Sequence, residues 1–364
     1  MTSMRQHSLQ RVGIITAMPT DPRLGSGCTV AIRNLEQGLT ALGIDVELIR
    51  PRLDVPNFTL RRLLFNQGLR FADFSRFDLT VGIDLDGYAC PRIGPNHVAY
   101  VKGVLADATR FETGWTRWSM EMQARLEARH VHRADKVLTD SQYCAATLRR
   151  YYDFAGPISV VPEAIDLDAW KQLFREHGAA SDPNRFTVLC VCRLFPRKRV
   201  DVLLRAAALA LRSAPELRVR VVGDGPSRNA LRRLSNQLDI DRVVEWLGAI
   251  PRRQLARELT AAHAFCLPSA QEGFGIVFLE AMAAGLPIVA ARAAAIPEVI
   301  PQALLCPPDN VECFSDALLA LYTSDDLRDR LARAGEQQVA RFSLPVVTAA
   351  FLDQIESLVK NRGG

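Results

Sequence analysis

The sequence predicts an α/β protein of two doubly wound, Rossmann-like domains facing each other across a cleft. Three observations carry this. The chain has 364 residues, more than one hydrophobic core ordinarily holds. Short apolar runs alternate with longer helical patterns, as in parallel sheets covered on both faces by helices. The alternation pauses at a polar stretch, His177 to Arg185, and then starts again.

In chain order, the first run, Val12 to Met18, is too short to span a bilayer and lacks a small-residue cleavage site. It reads as a buried first strand. Further strands are expected at Asp45–Ile49, Leu79–Gly82, Val98–Val101, Lys136–Thr139 and Ile158–Val161, with helices such as Thr29–Leu42, Trp115–His130 and Cys144–Tyr152 between them. The second half repeats the pattern with strands at Thr187–Cys192, Arg218–Val222, Val243–Leu247, Ala264–Leu267 and Ile288–Ala291. Open parallel sheets bind ligands beyond the carboxyl ends of their strands, so functional residues are expected just after these runs.

Composition narrows the function. Hydrophobic residues make up 48% of the chain and charged ones 23%, which fits a soluble globular protein. There are 20 basic and 17 acidic residues up to residue 165, and 25 and 23 beyond it. Neither half is a basic arm, so a nucleic-acid partner is not expected. The eight cysteines are scattered, and Cys190 and Cys192 sit two apart on one strand, poorly placed for a disulfide or zinc. Reduced thiols in a cytoplasmic protein are expected.

The richest segment runs from Gln271 to Ala290, QEGFGIVFLEAMAAGLPIVA. Gly273 and Gly275 allow backbone to approach a ligand closely. A helix from about Ile276 to Ala284 follows, stopped by Gly285 and Pro287. No Ser or Thr in the glycine loop caps it, so its first N–H groups form an anion site. Its apolar faces predict burial, and Glu280 is then a buried carboxylate in need of donors, such as sugar hydroxyls. Glu272 lies before the helix and Glu280 about five residues into it, roughly 7 to 8 Å along the axis, so the two could hold two sugars with a diphosphate between them. The plainer reading pairs Glu280 with a core arginine and leaves Glu272 as a solvated loop residue.

After the strand ending at Cys192 come Arg193 and Lys198, cations at a sheet edge that suit a diphosphate. The plainer reading is an ordinary charged loop. Gly25, Ser26 and Gly27 follow the first strand and open a helix, as a phosphate cradle or a tight turn would. VVGDGPSRNAL has Gly223 and Gly225 but Arg228 at the third glycine position, so it is no dinucleotide fingerprint. Leu60-Arg-Arg-Leu-Leu-Phe65 with Arg70 has the pattern of a basic amphipathic helix, which would allow peripheral membrane contact; a solvated face is the plainer reading.

Together these segments resemble the retaining glycosyltransferases of family 4, which have the GT-B fold. The most specific match is Glu272-Gly-Phe-Gly-Ile276 followed by Glu280-Ala-Met-Ala-Ala-Gly-Leu-Pro287. Cys192-Arg-Leu194 with Lys198, Val222-Gly-Asp-Gly-Pro226, Trp246-Leu-Gly248, Leu267-Pro-Ser269, Val137-Leu-Thr-Asp-Ser141 and Val160-Val-Pro162 add to it. The resemblance implies a first domain over residues 1–165, with a C-terminal helix at 342–364 crossing back to it, and a donor domain over 166–341. It implies that Glu272 contacts the transferred sugar and Glu280 the ribose. Phe274, Gly275 and Ile276 would bind sugar and diphosphate through their backbone, Arg193 and Lys198 the leaving diphosphate. Gly25 and Gly27 would approach the donor and acceptor, Gly223 would join the donor site, and Ile250 would border the base. Donor and acceptor would be a nucleotide diphosphate-sugar and a carbohydrate or lipid-linked hydroxyl, with no metal or other cofactor.

Three positions depart from the family pattern. Lys102 stands where many members have histidine after the fourth strand, Glu163-Ala164 where many have Asn-Gly, and Gly43-Ile44 where Gly-His is usual. Lys102 is therefore a candidate catalytic residue, and Asp86 and Ser26 are candidate acceptor contacts; Asp84 borders the same edge. The competing functions are a sugar-nucleotide epimerase or hydrolase on the same fold, and a non-catalytic subunit that binds sugar nucleotide.

Overall fold

The computed structural model describes residues 9–19, 27–52, 55–91 and 96–360, with 359 and 360 described by backbone alone. The chain divides into two compact units, Met1–Ala164 with Leu344–Gly364, and Ile165–Ser343.

In the first unit, strands β1 (Arg11–Ile15), β2 (Asp45–Ile49), β3 (Leu79–Ile83), β4 (Asn96–Val101), β5 (Lys136–Thr139) and β6 (Ile158–Val160) form one sheet in the order β2-β1-β3-β4-β5-β6. Every pairing is parallel. All five residues of β3 are buried, as a central strand covered on both faces requires. The C-terminal helix Leu344–Lys360 belongs to this unit. Phe351 stacks on Tyr100 with ring centroids 6.2 Å apart. Gly38, in the helix Gly27–Ala41, admits that C-terminal helix: a Cβ there would lie 2.0 Å from Thr348 Oγ1.

The second unit holds β7 (Phe186–Val191), β8 (Leu217–Val222), β9 (Val244–Gly248), β10 (Ala264–Leu267), β11 (Ile288–Ala291) and β12 (Leu304–Cys306), all parallel in the order β12-β11-β10-β7-β8-β9. Val188, Leu189, Phe265, Leu267, Phe278 and Val289 are wholly buried at its centre. Strand β12 was not among the expected strands. At three residues it is too short to display a period.

The doubly wound α/β class expected from sequence is the one observed. Strand order reverses between β1 and β3 in the first unit and between β7 and β10 in the second. Crevices at such points are where open α/β sheets take ligands.

Candidate functional site

In the second unit the chain leaves β7 toward a 3₁₀ turn, Pro196–Lys198, and leaves β10 toward Glu272. These two exits flank the switch point. They are tied by Ala270 N–H, which donates to Arg197 O at 2.8 Å. The Lys198 ammonium is buried and donates to Glu272 Oε1. Ser269 Oγ donates to the same oxygen at 2.8 Å, and Arg197 Nη1 lies 3.9 Å from Oε2. Burial alone would push the Glu272 carboxyl up, but Lys198 and Arg197 outweigh it and hold the group below its ordinary range. Glu272 is therefore an ionised, buried carboxylate, and the solvated-loop reading fails. Arg197 and Ser269 are partners that sequence reasoning missed. The available signal was Leu267-Pro-Ser269, three residues ahead of Glu272.

Beside this pair begins the helix Ile276–Ala283, one residue shorter than expected. Gly275, at φ +89°, is its cap; a Cβ there would lie 2.6 Å from the Phe278 ring. No side chain caps the first N–H groups, which suits an anion. Phe274 is buried edge-on against Phe342, with centroids 5.4 Å apart, so only its backbone can face a ligand. Ile276 is half-buried. Glu280 is buried, and burial pushes its carboxyl up to about 7, partly offset by Arg252. No donor among the described residues hydrogen-bonds its carboxylate, so the core-arginine pairing is only a distant charge.

Arg193 is exposed two residues beyond β7, its guanidinium 5.7 Å from the Phe195 ring centroid. Ile250 lies half-buried two residues past Gly248. Gly223 has a local reason to be glycine. At φ +121°, a Cβ would lie 1.8 Å from Cys192 O, so the crossing of two strand exits requires glycine here.

In the first unit Gly25 and Ser26 lie outside the described residues, and Gly27 is the exposed first residue of its helix. Asp86 corrects an expectation. It is wholly buried, and Oδ1 accepts from Arg62 Nε at 2.8 Å and Asn66 Nδ2 at 2.9 Å, while Oδ2 accepts from Ala17 N–H at 2.7 Å. Both oxygens are engaged, Oδ2 by the chain just past β1 and Oδ1 by the helix Phe58–Gly68, which leaves none for an acceptor. The same bond removes Arg62 from the basic face expected of the helix Phe58–Gly68, although Leu60 and Leu64 remain exposed. Among the described residues no helix is long and apolar enough to cross a membrane.

Lys102, directly after β4, has its Nζ 3.1 Å from Glu163 Oε1 and 3.3 Å from the Tyr100 ring centroid. Burial opposes the ammonium, but Glu163 and Tyr100 outweigh it and raise its pKa. The charge of Lys102 is thus answered by Glu163 in this structure. Its backbone N–H donates to Asp84 Oδ1 at 2.8 Å. Burial lifts the Asp84 carboxyl to about 6 against the pull of Arg62. No cluster of three metal-ligating side chains occurs among the described residues.

A buried carboxylate held by cations at a switch point lies beside an uncapped helix start, an arrangement of an α/β protein that suits a phosphate next to hydroxyl groups. Residues 173–338 match the family described as glycosyl transferases group 1. The D-inositol 3-phosphate glycosyltransferase of Saccharomonospora viridis is 33% identical over 243 residues, covering 62% of this chain and 56% of that protein. A GDP-mannose-dependent alpha-(1-6)-phosphatidylinositol monomannoside mannosyltransferase of Mycolicibacterium smegmatis is 30% identical over 216 residues, 56% of this chain and 55% of that protein. The chain thus spans little more than half the length of these curated relatives. Among solved structures, sucrose-phosphate synthase from Thermosynechococcus elongatus has a TM-score of 0.82 at 19% identity, over 97% of this chain and 100% of that one. The lipopolysaccharide glycosyltransferase WaaG has a TM-score of 0.71 at 18% identity, over 95% and 99%. The fold is GT-B, and the likeness to the group 1 glycosyl transferases lies in residues 173–338 of the second unit.

Proposed function

We propose that the protein is a retaining glycosyltransferase. It moves a hexosyl unit from a nucleotide diphosphate-sugar to an acceptor hydroxyl on a carbohydrate or lipid-linked molecule, with no metal ion. The observation that carries this reading is the buried Lys198–Glu272 pair beside the uncapped start of the Ile276–Ala283 helix. Relatives point the same way: one is named as GDP-mannose-dependent, and the Anabaena protein HepE, which shares the fold, was solved with UDP and glucose.

In this reading the bond from the anomeric carbon to the diphosphate oxygen breaks, and a bond to the acceptor oxygen forms. The acceptor proton passes to the leaving phosphate. Negative charge grows on the diphosphate, and Arg193, Lys198 and the N–H groups after Gly275 answer it. Fixed donors of this kind act most strongly where charge develops. Glu272 accepts from hydroxyls of the transferred sugar once Lys198 turns toward the phosphate. Glu280, which lacks a hydrogen-bond donor among the described residues, accepts from the ribose. All eight cysteines are free thiols, in keeping with a reaction in the cytoplasm.

Thermal unfolding with UDP-, GDP- and ADP-sugars in EDTA tests the donor assignment. The true donor at about 100 times its Kd should add roughly 2.7 kcal/mol. Loss of the effect in EDTA overturns metal independence, and no stabilisation by any sugar nucleotide overturns the donor reading. The anomeric configuration of the product, read by NMR, tests retention. Donor consumed without any acceptor would instead favour hydrolysis or epimerisation.

A further inference from the structure

Strand β8, Leu-Arg-Val-Arg-Val-Val, departs from the pattern of its sheet. Interior strands of a doubly wound sheet are apolar on both faces, yet Arg218 and Arg220 alternate with the buried Leu217, Val219 and Val221. The two arginines therefore share one face. Arg218 is in register with Thr187 on β7, and Arg220 with Glu245 on β9. These residues floor a cavity of about 670 Å³ in the second unit, at the amino ends of β7, β8 and β9. Arg242, just before β9, and Arg257, on the helix Arg252–Ala261, line it as well, as does the segment 179–185. The Lys198–Glu272 pair lies past the other end of the sheet. The six residues of β7 put roughly 20 Å between the two places.

The charges in this cavity do not balance. Five arginines line it against two carboxylates, Asp182 and Glu245. Two of the five are answered. Arg220 Nε lies 2.9 Å from Glu245 Oε2 and its Nη1 2.5 Å from Glu258 Oε2, while Arg185 Nε lies 3.3 Å from Asp182 Oδ2. Arg218 donates Nη1 to the carbonyls of Pro215 and Leu217 at 2.9 and 2.7 Å, which orients the guanidinium without balancing its charge. Arg242 and Arg257 make no ion pair or side-chain hydrogen bond among the described residues. The carboxylates that feel these cations are engaged elsewhere: Glu216, near Arg218, accepts from Tyr322 Oη at 2.5 Å, and Glu258, near Arg257, is paired with Arg220. Cations gathered in a cleft repel one another and concentrate anions there.

We propose that this cavity is a second anion site, apart from the donor site, and that it takes a small molecule carrying a diphosphate group. The proposal does not depend on the glycosyltransferase reading. A guanidinium is a planar fork that meets phosphate oxygens two at a time, and Arg218, Arg242 and Arg257 bring three forks to one space. A single phosphate carries a charge of about −1.5 to −2 at neutral pH, less than these three cations offer. A second phosphate supplies the remainder and reaches a second fork. The cavity is also larger than phosphate alone would fill, and lies within the roughly 300–1,000 Å³ of small-molecule sites. Ala179, Ala180 and Ala261 give the rest of the ligand an apolar wall.

Inorganic pyrophosphate is the probe, titrated calorimetrically into the full chain in EDTA at ~0.15 M salt, where diffuse attraction is screened. The titration is run with and without a saturating amount of the sugar nucleotide that stabilises the chain. With that nucleotide bound, one equivalent of pyrophosphate is expected to bind. Arg242→Ala with Arg257→Ala breaks no bond within the protein and should weaken this binding by about tenfold or more. Arg218→Gln should weaken it in the same direction. Arg205→Ala with Arg330→Ala removes equal charge from exposed positions on two other helices and should leave it unchanged. Orthophosphate should bind about tenfold more weakly than pyrophosphate. Unchanged affinity in the Arg242 and Arg257 variant overturns the proposal. An equal loss in the Arg205 and Arg330 variant also overturns it, because diffuse charge then explains the binding. Complete displacement by the sugar nucleotide places pyrophosphate in the donor site and overturns it too. Equal affinity for orthophosphate overturns the diphosphate class. Failure of every sugar nucleotide to bind overturns the glycosyltransferase reading alone, and loss of the nucleotide-free pyrophosphate signal in the Arg242 and Arg257 variant would still uphold this site.

Discussion

Lys102 Nζ lies 3.1 Å from Glu163 Oε1, and the two side chains are only 5% and 7% exposed. These are two of the three positions where the sequence departs from the family pattern, and the structure shows that the two departures are one. A lysine in place of a neutral ring brings a buried charge; a glutamate in place of an amide neutralises it. Breaking a buried pair from one side leaves the other charge unpaired, at a cost of about 3–5 kcal/mol. Lys102→Met and Glu163→Gln should each destabilise by that order, and the double variant should recover most of the loss. Chemical denaturation of all four proteins measures the coupling. Additive losses would mean that the pair is not a unit.

The same logic separates structure from catalysis at Lys198. Lys198→Ala removes the partner of buried Glu272 and a cation proposed to face the diphosphate. Turnover should fall by about 100-fold or more, and stability should fall as well. Adding Glu272→Gln should restore stability without restoring turnover. Recovery of turnover in the double variant would show that Lys198 acts only by holding Glu272.

The fold was legible because strands covered on both faces read as continuous apolar runs, and most of the expected strands were found within about two residues of their expected ends. Glu272, Gly275 and Glu280 were legible as well, since a glycine loop, an apolar helix and a Gly-Leu-Pro stop are local in sequence. Partnerships across long spans were not. Lys198 meets Glu272 across 74 residues, and Arg62 meets Asp86 across 24, through crossovers that no local pattern encodes. Asp86 looked free for an acceptor because its three donors come from Ala17, Arg62 and Asn66, on two other segments of the chain. Gly223 was expected at the donor site through the resemblance alone, and the backbone that requires a glycine there belongs to Cys192.

Glu280 makes a prediction in pH. Burial raises its carboxyl from 4.5 to about 7. A carboxyl whose folded pKa exceeds its unfolded one contributes stability below about pH 4.5 that is lost as pH rises through about 7. Glu280→Gln removes this dependence. Relative to the parent, it should gain on the order of 2–3 kcal/mol between pH 5 and pH 8. Donor binding should respond in the opposite sense, because the amide is a poorer acceptor for ribose hydroxyls, weakening affinity by roughly tenfold. Urea unfolding at the two pH values and calorimetry with the nucleoside diphosphate check both halves. Parallel stability profiles for the two proteins would mean that the carboxyl is not desolvated.

Gly223 and Gly248 separate two reasons for glycine within one sheet. Both have positive φ, +121° and +67°, so alanine is strained at either position. Around Gly248 there is nothing within 4 Å of a Cβ, so Gly248→Ala should cost only the backbone term, about 1 kcal/mol. At Gly223 the added atom would lie 1.8 Å from Cys192 O and 2.9 Å from its carbonyl carbon. Main chain cannot yield as a flexible side chain does. The two strand exits must separate, straining the Cys192 N–H bond to Val222 O at 3.0 Å. Gly223→Ala should therefore cost ~3 kcal/mol or more, since steric overlap adds to a special backbone conformation. The two melting temperatures, taken without ligand, decide it. Equal losses would place Gly223 among ordinary turn glycines, and its close approach to Cys192 would carry no weight.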